Sequence, residues 1–123
     1  MKIRFLVLLV ILTTTPLFAQ QAKSCKDSPK VIGQCFNIHG RVRVVNGAGT
    51  VIWRIGTDRL LEVEDEELVP VNFRKAMYGH GDVYGRDVFG DFEVCPFTES
   101  KPGEMQMVCV ESASRLVVRD NTH

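Results

Sequence analysis

The chain has 123 residues, 45% of them hydrophobic and 24% charged, enough for one domain with a modest core and no more. Its 15 Lys and Arg balance 15 Asp and Glu, which argues against binding bulk polyanions through net charge.

Lys2 and Arg4 precede an unbroken apolar run from Phe5 to Leu12, which Thr13, Thr14, Thr15 and Pro16 end; Ala19 then supplies a small residue before Gln20-Gln21. A charged start, a short apolar stretch and a small residue at the exit predict a secretory signal over residues 1–19. A membrane anchor would need about 20 apolar residues, and no later stretch approaches that length, so no membrane span is expected once the signal is removed. Lipid attachment at Cys25 is disfavoured by Lys23, a charge where such cleavage sites take small or apolar side chains. Cleavage lowers Lys and Arg from 15 to 13 against 15 acidic residues, which leaves a net charge of about −2 on a secreted or periplasmic product.

Residues 20–34 are polar and turn-rich and predict a loose N-terminal arm held by Cys25. From Phe36 to Val44 the pattern has a period of two, which predicts a half-buried strand with Phe36, Ile38, Val42 and Val44 inward and Gly40 at a bend. Asn46-Gly47 marks a hairpin turn. The return strand, Thr50 to Ile55, is apolar at most positions; Val51, Trp53 and Ile55 are expected to face the core, with Ile52 and Arg54 opposite. Gly56-Thr57-Asp58 turns into a third strand, Arg59 to Glu64.

An acidic cluster from Glu62 to Glu67 follows, Val69-Pro70 blocks a long helix, and Asn72 to Met77 has room for one or two helical turns. Gly79, Gly81, Gly85 and Gly90 then predict a surface loop over residues 78–91 that runs into a strand near Val88. Phe92 to Phe97 and Met105 to Val110 flank Lys101-Pro102-Gly103 as a closing hairpin, and Arg115 to Arg119 reads as one more short strand before a tail at 121–123. The expected fold is all-β, or mostly β with one short helix: a small five- to six-stranded OB-like barrel over residues 35–120.

Cys25, Cys35, Cys95 and Cys109 all lie after the signal, and an even count in an exported chain reads as two disulfides. No C-x-x-C pair supports a metal site. Folding the closing hairpin about Pro102 sets Cys95 opposite Cys109, so the favoured bridges are Cys95–Cys109 and Cys25–Cys35.

Two surfaces are candidates for function. In the 78–91 loop, Tyr78, His80, Asp82, Tyr84, Asp87 and Asp91 sit on a glycine-freed backbone, where oxygen ligands suit calcium. The D-x-D-x-D-G spacing is absent, and none of His39, His80 or His123 has a metal-motif context, so neither metal nor cofactor is assigned. On the first strand, His39, Arg41 and Arg43 project to one face, which Arg54 and Arg59 extend. That basic face lacks aromatic platforms if Trp53 is in the core, and the acidic segment at Glu62 to Glu67 is its expected partner. No G-x-S-x-G or phosphate-loop motif indicates an enzyme. The expected function is an exported, disulfide-stapled binding module for an envelope or extracellular protein or a small ligand. A metal-assisted hydrolase using the 78–91 loop and an oligonucleotide- or polyanion-binding barrel are the alternatives.

Overall fold

The computed structural model describes residues 10–12, 24–79 and 81–120; the expected cleavage site at Ala19, His80 and the tail with His123 lie outside them. Period-two alternation produces β1 (Phe36–Val45), with Phe36, Ile38, Val42 and Val44 turned inward as expected. β2 (Gly49–Arg54) and β3 (Leu60–Val63) complete a meander, α1 (Val71–Tyr78) follows, and β4 (Arg86–Pro96) and β5 (Gln106–Asp120) form the last hairpin. The sheet closes on itself in the order β1-β2-β3-β5-β4, the small all-β barrel with one short helix that the pattern predicts. All neighbours are antiparallel except β3 and β5. The closure leaves no free edge along the paired stretches, which removes the edge-pairing hazard of a small sheet.

One end of the barrel is plugged by α1. Pro70 precedes its first turn, where a missing N–H does no harm. Phe73 and Met77, four residues apart on one face, are fully buried against the core. The Phe73 ring meets Phe92 edge-on at 5.8 Å between centroids. Arg86 is buried and donates to the Met77 carbonyl at 3.2 Å and to Asp120 at 2.9 Å. Its cation thereby meets a terminal carbonyl of the helix and a carboxylate, which offsets the cost of burying it.

Several expectations are corrected. β4 is one strand from Arg86 to Pro96, so much of the anticipated 78–91 loop is strand. Gly90 does not loosen it: Gly90 faces Gly40 across the β1–β4 pair, and a Cβ there would come within 2.6 Å of Leu116 Cδ2 and 3.0 Å of the Ser114 carbonyl oxygen. The glycine serves close approach, which a count of glycines cannot tell from a loop. β5 is likewise one strand of 15 residues where two were expected; it passes through irregular register and a positive φ of 51° at Arg115.

The disulfides pair as Cys25–Cys109 and Cys35–Cys95, not as expected. Cys95 and Cys109 do face each other across the hairpin. However, β1 also lies beside β4, with Phe36 opposite Val94, and this carries Cys35 to Cys95. From Ser24 onward the arm is therefore seated and not loose. Cys25 is fully buried, the Ile32 N–H donates to the Pro96 carbonyl at 2.9 Å, and Lys26 Nζ meets Glu93 at 2.7 Å. A second small core of Cys25, Cys95 and Cys109, flanked by Val31, Cys35 and Phe97, forms on the outside of the barrel.

Candidate functional site

The inward and outward sides of β2 are the reverse of the expectation. Val42 pairs with Ile52 and Arg41 with Trp53, so Ile52 enters the core and the half-buried Trp53 lies on the outer face. Because β2 is apolar on both faces, alternation alone could not orient it; the polar inward residue, Thr50, was the missed signal. Thr50 is buried and stays satisfied, donating to Glu66 Oε1 at 2.8 Å. Its single proton is thereby used, so Tyr78 donates to Thr50 Oγ1 at 2.7 Å. Burial, aided by the Glu66 charge, pushes the Tyr78 phenol above its ordinary value against the pull of the Thr50 bond, which favours the protonated donor.

Trp53 forms the back of a groove of about 290 Å³ on the outer face of β1, β2 and β3. Arg41 lies over its ring, 4.7 Å from guanidinium carbon to centroid. The indole N–H donates to the Thr57 carbonyl at 2.6 Å, which fixes the ring to the β2–β3 turn. Val45, Leu60 and Met105, each at least 40% exposed, rim the groove. Ala48 of the β1–β2 turn, Arg43 and Val51 line it as well. Exposed apolar side chains thus gather here beside an aromatic ring held in place by Arg41 and Thr57.

The expected basic face is divided. Arg43 holds Asp87 through two hydrogen bonds of 2.7 and 3.0 Å, and His39 meets Asp91 at 2.8 Å. These partners come from β4 and not from the acidic segment at Glu62 to Glu67, because β1 lies between β2 and β4 and the register sets His39 opposite Asp91 and Arg43 opposite Asp87. Asp91 also takes Arg115 at 2.7 Å. Its carboxyl is held below the ordinary value by the His39 hydrogen bond first, then by the Arg115 charge, against some desolvation. Arg41 is committed to Trp53, while Arg54 lies apart at the other end of the barrel.

The anticipated loop site is dispersed in the same way. Tyr78 belongs to α1, and Asp82 accepts from the Tyr84 N–H at 3.0 Å as a local cap. Tyr84 is exposed beside Arg43 and Asn46, and Asp87 and Asp91 are strand residues paired to β1. Among the described residues, the one group of His, Cys, Asp or Glu close enough to share an ion is Cys25, Cys95 and Cys109. All three are oxidised in the bridges and so offer no thiolate.

Fold and site together define a disulfide-stabilised β-barrel module, and its two bridges fit an oxidising, non-cytoplasmic environment. No helix among the described residues is long and apolar enough to cross a membrane. No family model, curated protein or solved structure was found to match the chain.

Proposed function

We propose that the protein is an exported binding module whose ligand seats in the Trp53 groove on the outer face of β1, β2 and β3. The observation that carries this reading is the outward indole, with Arg41 on its ring and exposed Val45, Leu60 and Met105 around it. The ligand is a small molecule, or a short segment of an envelope or extracellular protein, with a flat apolar or aromatic face. Export rests on the charged and apolar opening of the sequence, with Ala19 as the cleavage point, and is supported by the bridges. N-terminal sequencing of the secreted product should begin at Gln20; a cytoplasmic protein that keeps Met1 removes this part.

An OB-like reading of the barrel is supported by the strand order β1-β2-β3-β5-β4 and by the helix between β3 and β4. In OB barrels the strand 2–3 face and the 1–2 and 4–5 loops bind oligonucleotides or oligosaccharides, and the groove here draws on the same parts. The outward Trp53 gives the oligonucleotide alternative the platform that the sequence withholds. Against it, His39 and Arg43 are already engaged by β4 carboxylates. A flat, weakly charged ligand is therefore preferred.

Trp53 is the sole tryptophan of the chain, so its fluorescence reports the groove. A panel of oligosaccharides, short peptides and oligonucleotides should yield binders that shift its emission and the Met105 methyl signal and that fail with Trp53→Ala. Binders that leave Trp53 unmoved and bind the variant equally well would sink the proposal.

A further inference from the structure

Lys26, Lys30, His39, Arg43, Arg86 and Arg115 each end on a carboxylate between 2.7 and 2.9 Å away. These residues belong to the arm and to β1, β4 and β5. At the end of the barrel away from α1, Arg54 and Arg59 have no ion-pair partner among the described residues. Both line a concavity of about 380 Å³ at the barrel mouth.

The composition of that mouth is selective. Phe36 and Leu61 are its apolar lining, Asn37, Ser100 and Gln106 supply neutral polar groups, and no carboxylate lines it. Gln106 is buried and donates to the Thr98 carbonyl at 3.0 Å, which holds the approach to Ser100 against the barrel. The two arginines rise from one rigid turn. The Arg54 N–H donates to the Arg59 carbonyl at 3.0 Å, Thr57 Oγ1 donates to the Arg54 carbonyl at 2.7 Å, and it accepts from the Arg59 N–H at 3.0 Å. Gly56 supplies the φ of 83° that closes this turn.

Two arginines carried by one hydrogen-bonded turn, lining a concavity whose own lining has no carboxylate, offer a receptor for a planar or tetrahedral oxyanion. We infer that the barrel mouth is an anion subsite, in which Arg54 and Arg59 clamp a carboxylate or phosphate group and Ser100 and Asn37 are at hand to donate to it. This subsite is separate from the Trp53 groove and does not depend on it. The depression between them is nevertheless shared: it has Leu60 and Met105 in common with the groove and Arg59 in common with the mouth. Asp58, Lys101 and Glu104 also line that depression, so the anion is read at the mouth itself and not along the way from Trp53.

The test is a titration of the isotope-labelled protein at constant ionic strength, with inorganic phosphate in one arm and succinate in the other. The side-chain N–H signals of Arg54 and Arg59 are followed. The expected result is a saturating shift at both arginines in at least one arm; the arm that saturates identifies phosphate or carboxylate as the chemistry. Arg54→Gln and Arg59→Gln should each weaken binding by about tenfold or more, as loss of one charge-assisted contact does. Lys75→Gln, on α1 at the opposite end of the barrel, should leave it unchanged. Shifts that stay linear in both arms, or that spread equally to Arg41, Lys101 and Arg119, would overturn the inference. Unaltered amide signals for Ser100 and Gln106 in the unliganded variants would establish that the mouth is intact, so that a lost shift reports lost binding.

Discussion

Removing the Cys25–Cys109 bridge by the paired change Cys25→Ala and Cys109→Ala tests how the arm stabilises the barrel. Taken alone, this bridge spans 84 residues, a loop for which the chain-entropy relation gives about 4.6 kcal/mol. The other bridge shortens it. With Cys35–Cys95 intact, the unfolded chain can run from residue 25 to 35, across that bridge, and from 95 to 109, which is 10 plus 14 residues, the difference between separations of 84 and 60. For 24 residues the same relation gives about 3.5 kcal/mol. The paired variant should therefore lose about 3.5 kcal/mol of unfolding free energy, read as a lower urea midpoint by circular dichroism and by Trp53 fluorescence together. A loss below about 1 kcal/mol with an unchanged urea slope would refute the reasoning, because the bridge would then be constraining nothing that the unfolded chain explores.

The same sulfur cluster predicts an order of reduction. Cys35 is the one half-buried cysteine beside three that are fully buried, so a limiting small thiol should attack Cys35 and release Cys95 as thiolate. The Cys95 sulfur lies within 4.8 Å of those of Cys25 and Cys109, so it should attack Cys109, form Cys95–Cys109 and expel the Cys25 thiolate. Peptide mapping after an acid quench should find that bridge; release of Cys25 and Cys109 before Cys35 would contradict the order. Gly90→Ala should cost about 1–3 kcal/mol through crowding against the Ser114 carbonyl and Leu116, while Gly33→Ala, whose new methyl would sit 3.7 Å from Pro96, should be near neutral in thermal melts. Asp91 has a lowered folded-state pKa, so its stabilisation is present at neutral pH and is lost as pH falls below about 4, through the folded value. The stability gap between the protein and Asp91→Asn should thus close as pH falls through the folded value; a gap that persists to about pH 2 would show that the ionised carboxylate is not its source.

Most of the fold was legible because most strands here are amphipathic or bounded by strong turns. β1 alternates cleanly, and its inward set follows from period two alone. Val69-Pro70 and the Asn72–Met77 stretch after it locate α1 to within a residue. What escaped was whatever depends on long-range neighbours. Gly90 reads locally as a loop breaker, yet it is a strand residue packed under Leu116, a contact set by a partner more than twenty positions away. The cysteine pairing failed for the same reason: the hairpin that joins β4 and β5 is visible in the sequence, but the pairing of β1 with β4 that delivers Cys35 to Cys95 is not.

The site was legible in its parts and hidden in its arrangement. The sequence groups His39, Arg41, Arg43 and Arg54 as one basic face, but their electrostatic setting depends on β4, which no local pattern brings to β1. Asp87 and Asp91 occupy Arg43 and His39, whereas Arg54 and Arg59 meet at a mouth whose lining has no carboxylate. Orientation of β2 then decides the rest. With Val51, Ile52 and Trp53 in a row, burying either face removes a comparable apolar area from water, so hydrophobicity cannot choose between them. Thr50 chooses: inward it reaches Glu66 and Tyr78, whereas Arg54, which shares its parity, sits at the open end where its charge can remain in water. Satisfying one buried hydroxyl thus turns the only tryptophan outward, and that single rotation converts a residue read as core packing into the wall of a groove.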